Sequence, residues 1–90
     1  GMAAYVSVPA LHVWPVPAQD LLQVSLPAHT GTIALVVTDA RGREVLRNTF
    51  ATGTTGRTVT LGTTNLTNGT YTLFARGLAN TMPARIIIAR

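Results

Sequence analysis

The sequence lacks cysteine and lysine, and only three of its 90 residues are acidic. Without cysteine there is no disulfide framework and no thiolate metal site, so redox chemistry does not indicate a compartment. No apolar run approaches the ~20 residues that a transmembrane helix needs, so we expect no stable membrane insertion. Residues 2–20 have three prolines and no positively charged n-region, so we do not interpret them as a signal peptide.

The basic residues are all arginine and give a net charge of +4. Such a charge would favour nucleic acid or an anionic membrane surface as a partner. The arginines form no run and few aromatic residues accompany them, so we expect no nucleic-acid partner. They stand at positions 41, 43, 47, 57, 76, 85 and 90.

Catalytic and metal-binding patterns are scarce. Asp39 and Glu44 could form an acid pair, but a turn explains Asp39 better because Asp accepts backbone hydrogen bonds at the start of turns. His12 and His29 have no third ligand at metal spacing. We therefore expect no enzymatic activity, no metal and no cofactor.

The chain has abundant threonine, few helix formers and turn signals at roughly ten-residue intervals, which favours strands over helices. We predict an all-β domain, an Ig-like antiparallel β-sandwich of about seven strands with Greek-key connections. Residues 11–90 would form this domain. Residues 1–10 would be an expression-tag remnant with a linker or a short first strand, the strand lying within residues 3–8. The predicted strands lie near residues 11–14, 21–27, 32–39, 43–51, 59–61, 69–76 and 84–90.

Two turn motifs carry more specific predictions. Asp39-Ala40-Arg41-Gly42 predicts a tight turn in a hairpin, with Gly42 supplying an unusual φ. The stretch NLTNGTYTLFARG places an Asn-Gly pair before a strand in which Tyr71 shares a face with Leu73. Tyr71 is then either a tyrosine corner, whose hydroxyl bonds to nearby backbone, or an ordinary aromatic strand residue.

Four segments, in this order and spacing, resemble a known family. They are Pro15-Val16-Pro17-Ala18 with the following Asp20, Asp39 to Val45, Leu66 to Leu73, and Arg85-Ile86-Ile87-Ile88-Ala89-Arg90. Together they resemble the C-terminal sorting domain of the type IX (Por) secretion system, in its common cleaved class, over roughly residues 11 to 90. The sequence departs from the family pattern at Val16, where Asn is usual, and at Arg85, where Lys is frequent.

The resemblance implies a non-catalytic secretion signal at the end of a larger exported protein. The upstream cargo would cross the inner membrane with a signal peptide, and the domain would fold in the periplasm. The outer-membrane translocon would then recognise the domain, and a sortase-like protease would remove it. The cargo would finish at the cell surface or outside the cell.

The last strand is the candidate recognition element, because an edge strand offers unpaired backbone groups to a partner strand. We assign this role to Arg85, Ile86, Ile87, Ile88 and Arg90, and expect at least one of Ile86 and Ile88 to lie in the core. The family-motif residues are better interpreted as defining the fold. These are Pro15, Pro17, Asp39, Gly42, Gly69 and Tyr71.

The sequence is also compatible with a binding module or a structural spacer. An Ig-like or fibronectin-like module could bind polysaccharide or protein, with Trp14 either a stacking platform for sugar or an aromatic cap on the core. A sorting domain must end its polypeptide, whereas a binding module need not. A spacer would predict repeats, and none is present within these residues. Exposed sheet edges also predict weak self-pairing into a homodimer.

Overall fold

A computed structural model of the chain describes residues 11–28, 31–52, 56–78 and 82–90. The described residues form seven strands and no helix, which confirms the predicted fold class. The short strand expected within residues 3–8, and His29, lie outside the described residues. The strands are β1 (His12–Trp14), β2 (Leu21–Leu26), β3 (Gly31–Thr38), β4 (Glu44–Thr52), β5 (Arg57–Gly62), β6 (Gly69–Arg76) and β7 (Ala84–Ile88).

The strands form two antiparallel sheets, one in the order β1-β2-β5 and one in the order β4-β3-β6-β7. After the β3–β4 hairpin the chain crosses to place β5 beside β2, and then returns to place β6 beside β3. This is the predicted Greek-key sandwich. The apolar run in β3 predicted a central strand, and β3 does lie between β4 and β6.

The core lies between the inward faces of the two sheets. In β2 the alternate residues Leu22, Val24 and Leu26 are buried, while Gln23 and Ser25 on the other face are half-buried. Val36 is also buried, although it points away from this core, in register with Arg47 on one side and Phe74 on the other. The middle of β3 is therefore covered on both faces.

Two consecutive strands extend further than predicted, β4 by one residue at its end and β5 at both ends. We expected only Val59–Leu61 to be extended, with residues 51–58 as a loop, whereas β4 continues to Thr52 and β5 begins at Arg57. β5 pairs with β2 over its full length, from Arg57 opposite Leu26 to Gly62 opposite Leu21. Threonine is a good strand former, and this pairing outweighs the loop signal of the nearby glycines.

Candidate recognition surface at the C-terminal strand

Among the described strands, β7 forms one edge of the four-stranded sheet and has β6 as its one neighbouring strand. Its side chains alternate strictly, because strand residues point to opposite faces in turn. Ile86 and Ile88 are each 1% exposed, which confirms that the strand contributes to the core. Arg85 and Ile87 point to the opposite face and are exposed, Ile87 to 41%.

The backbone of β7 is partly covered on its outer side. The N–H of Ala18 donates to the carbonyl of Ile87 at 2.7 Å, and the N–H of Ala89 donates to the carbonyl of Ala18 at 2.9 Å. Backbone groups of alternate residues point to the same side of a strand. The N–H and C=O of Arg85 therefore also point outward, and no described residue bonds to them.

This region is the open edge of β7, defined here as the outward backbone of Arg85 with the exposed side chains of Arg85 and Ile87. The fold holds it rigidly, because the strand is fixed by β6 on one side and by the buried isoleucines beneath. An edge with free N–H and C=O groups can accept another strand.

The face beside the open edge is basic. Arg47, Arg76 and Arg85 all lie on the outer face of the four-stranded sheet. Arg47 Nη2 lies 2.8 Å from Glu44 Oε1, and this hydrogen bond lowers the pKa of Glu44 and raises that of Arg47.

The three arginines differ in how they are engaged. The Arg76 guanidinium lies 5.6 Å from the centre of the Phe74 ring, a cation–π distance. Arg85 forms no ion pair with any described residue. Since Arg85 is itself part of the open edge, its unpaired charge is available to a partner strand there.

Arg90, by contrast, is engaged within the domain. Its Nη1 donates to the carbonyl of Leu66 at 2.6 Å, its Nη2 donates to the carbonyl of Thr63, and its Nε donates to Asp20 Oδ1 at 3.1 Å. Its backbone N–H donates to Asn68 Oδ1 at 3.1 Å. We call this group the Arg90 clamp, and a role of Arg90 in recognition stays a prediction.

The Arg90 clamp joins three distant parts of the chain around a buried threonine. Thr63 is 1% exposed, its hydroxyl donates to the carbonyl of Gln19 at 2.9 Å, and its N–H donates to the carbonyl of Asp20 at 2.8 Å. The β1–β2 connection, the β5–β6 connection and the end of the chain thus meet here. Sequence reasoning missed this site, because its members share no local pattern.

The two motif prolines lie in the connection that reaches β7. β1 ends at Trp14, as Pro15 and Pro17 predicted, and both prolines follow cis peptide bonds. Ala18, directly after Pro17, is completely buried and forms the bridge to Ile88. The motif therefore belongs to the segment that covers one end of the edge strand.

The Asp39 motif forms the predicted turn between β3 and β4. Asp39 Oδ1 accepts the N–H groups of Arg41 at 2.9 Å and of Arg43 at 3.0 Å, and Gly42 has a φ of +81°. The pKa of this carboxyl is lowered, most strongly by the hydrogen bond from the Arg43 N–H. Burial opposes this shift, and the Arg41 N–H and the Arg43 side chain lower the pKa further. The turn accounts for Asp39, and Glu44 pairs with Arg47 instead.

Tyr71 is a tyrosine corner rather than an ordinary strand aromatic. Its ring is buried, and its hydroxyl donates to the carbonyl of Thr67 at 2.6 Å. Gly69 begins β6 two residues earlier. Gly69 and Tyr71 lie opposite Ile88 and Ile86 on the strand that pairs with β7, so they support the edge strand from its inner side.

Within residues 11–28, 31–52, 56–78 and 82–90, no three His, Asp or Glu residues come together in a way that could hold a metal ion. No helix in those ranges has the length and hydropathy needed to cross a membrane.

Comparisons with known proteins give one match. A family model described as "Secretion system C-terminal sorting domain" matches residues 12–89. No curated protein and no solved structure matches the chain. The matched range contains all seven strands and the open edge. It also contains the residues that Arg90 contacts, whereas Arg90 itself lies one residue beyond it.

Proposed function

Because the chain belongs to the family of secretion system C-terminal sorting domains, we propose that it is read by the outer-membrane type IX translocon through the open edge of β7. The family makes the domain a type IX sorting signal that acts on an attached upstream cargo.

The open edge of β7 is the observation that supports this proposal. A signal carried by many cargoes must be read from the domain alone, so its contact should lie on a rigid frame. Strand addition meets this need, because main-chain hydrogen bonds supply affinity whatever the cargo is. The outward backbone of Arg85 offers a starting point for such a strand.

The side chains beside this backbone would supply selectivity. A partner strand on the open edge would lie next to the charge of Arg85 and the apolar surface of Ile87. We expect it to present an acidic side chain and an aliphatic one at these positions, since opposite charges on neighbouring strands attract. Ile86 and Ile88 would act indirectly, by holding β7 in place.

After passage across the outer membrane, a sortase-like protease would cut upstream of Leu11 and release the domain. The cargo would then remain at the cell surface or outside the cell, after a transit through the periplasm. In this account the domain performs no catalytic step, and the protease supplies the cleavage.

The function is tested by a transport assay. Residues 3–90 are fused behind a signal peptide and a fluorescent reporter, in a host with a working type IX system. We expect the reporter on the cell surface or in the medium, shortened by about the 9.5 kDa of the domain. The matched control is the reporter without the domain, which should stay in the periplasm. A folded fusion that also stays there would overturn the sorting function.

A further inference from the structure

A second surface lies on the outer face of the other sheet. The outer face of β1, β2 and β5 carries two aromatic rings and a group of uncharged polar side chains. We call it the aromatic face, and its residues are His12, Trp14, Gln23, Ser25, Thr58 and Thr60.

The aromatic part of this face comes from β1 alone. His12 and Trp14 are alternate residues of the strand and point to the same side, with ring centroids 4.7 Å apart and planes tilted by 40°. The Trp14 side chain is 37% exposed, whereas the large side chain of tryptophan is on average more deeply buried in proteins. A sequence with one tryptophan thus places it on the surface.

The polar part lies directly across the strands in two rows. Gln23 is in register with Trp14 on one side and with Thr60 on the other. Thr60 Oγ1 donates to Gln23 Oε1 at 2.8 Å, which fixes the amide, and no described residue accepts a bond from its nitrogen. The second row places Ser25 beside His12.

We propose that the aromatic face binds a neutral polysaccharide chain. The electron-rich face of an indole ring attracts the positive C–H edges of a pyranose, and Trp14 offers such a ring. The amide of Gln23 and the hydroxyl group of Ser25 can each donate to and accept from sugar hydroxyl groups. Thr60 Oγ1, whose proton is donated to Gln23, can accept a hydrogen bond from the sugar.

The charge of the aromatic face distinguishes a neutral sugar from an acidic glycan or a nucleic acid as its ligand. The rows of the aromatic face hold no Asp, Glu, Lys or Arg, whereas the outer face of the opposite sheet carries Arg47, Arg76 and Arg85. An acidic glycan or a nucleic acid would be drawn to that opposite face. The aromatic face offers an indole ring flanked by uncharged polar groups, and such a surface is complementary to a neutral sugar chain. This site is independent of the sorting function, because the two surfaces lie on different sheets.

The test uses the 90-residue chain with dextran, yeast mannan and a soluble β-glucan as neutral probes, and alginate as the acidic one. Trp14 is the only tryptophan, so its fluorescence reports binding directly. We expect a saturable change with at least one neutral probe. By calorimetry, Trp14→Ala should lower the affinity by about tenfold or more, as buried tryptophans do in other interfaces. Gln23→Ala should lower it severalfold.

Two further variants keep the test decisive. Trp14→Tyr keeps an aromatic ring and should retain part of the affinity, which separates stacking from a loss of folding. Ile87→Ala removes an exposed apolar residue from the other sheet and should leave glycan binding unchanged. The proposal is overturned if no neutral probe binds, if binding survives Trp14→Ala, or if only alginate binds and Arg85→Ala abolishes it.

Discussion

Replacing Arg90 by alanine should destabilise the domain more than a substitution at a terminal residue usually does. The substitution removes the guanidinium that donates to the carbonyls of Leu66 and Thr63 and to the carboxylate of Asp20. Among the described residues, the Thr63 carbonyl then keeps only the N–H of Leu66 as a donor, and Thr63 is 1% exposed. The ends of two connections then lose their shared anchor.

The magnitude follows from these contacts. A hydrogen bond from a charged donor contributes about 1.5–3 kcal/mol, and the ion pair with the exposed Asp20 contributes about 0–1 kcal/mol. The Arg90 side chain is 31% exposed, so solvent screening reduces the two carbonyl bonds from their upper values. We expect a loss of about 2 kcal/mol in the free energy of unfolding. For a domain of this size, that corresponds to about 8–16 °C in Tm.

The assay is thermal unfolding followed by circular dichroism, with Arg85→Ala as the matched control. Arg85 lies on the same strand, is exposed and forms no ion pair with a described residue, so its removal should cost less than about 0.5 kcal/mol. Arg90→Lys should fall between the two, because a lysine cannot reach all three acceptors at once. Equal Tm values for Arg90→Ala and Arg85→Ala would refute the Arg90 clamp.

Three further predictions concern the core, the tyrosine corner and the Asp39 turn. Ile86→Ala should cost about 2–5 kcal/mol and Ile87→Ala less than about 1 kcal/mol in urea unfolding, because only the first creates a cavity; similar losses would contradict the assignment of their faces. Tyr71→Phe should cost about 1 kcal/mol in the same assay by removing the bond to the carbonyl four residues earlier, and an unchanged midpoint would contradict the corner. Asp39 has a lowered pKa when folded, so its stabilisation is present above its unfolded pKa of about 3.9 and is lost as the pH falls below it. Asp39→Asn should therefore be less stable than the parent at pH 7, with the difference closing below about pH 4, and a gap that persists in acid would contradict the role of the carboxylate.

Local patterns predicted the features that depend on neighbours in sequence. The alternation of Leu22, Val24 and Leu26 identified the buried face of β2, because strand geometry fixes it. The turn at Asp39 and the corner at Tyr71 followed in the same way, because their hydrogen-bond partners lie within four residues. The sandwich architecture followed from the count and spacing of such elements.

Features that join distant residues were not predictable from local patterns. The Arg90 clamp connects residues that are 22 to 70 positions apart, and only the packed sheets bring them together. The parallel bridge from Ala18 to Ile88 likewise depends on how the β1–β2 connection meets β7. That bridge is what limits the open edge to the backbone around Arg85. The sequence thus predicted that the last strand is the candidate site. Only the tertiary structure shows which of its backbone groups have no partner among the described residues.

The most direct test of the recognition mechanism separates the backbone of Arg85 from its side chain. In the transport assay, Arg85→Ala keeps the outward N–H, whereas Arg85→Pro removes it without removing a bond to β6. A deletion of residues 85–90 would not be informative, because it also removes the buried Ile86 and Ile88. With all variants shown to fold by thermal unfolding, we expect Arg85→Ala to be exported less efficiently and Arg85→Pro to remain in the periplasm. Export of Arg85→Pro at the level of the parent would contradict recognition by strand addition at β7.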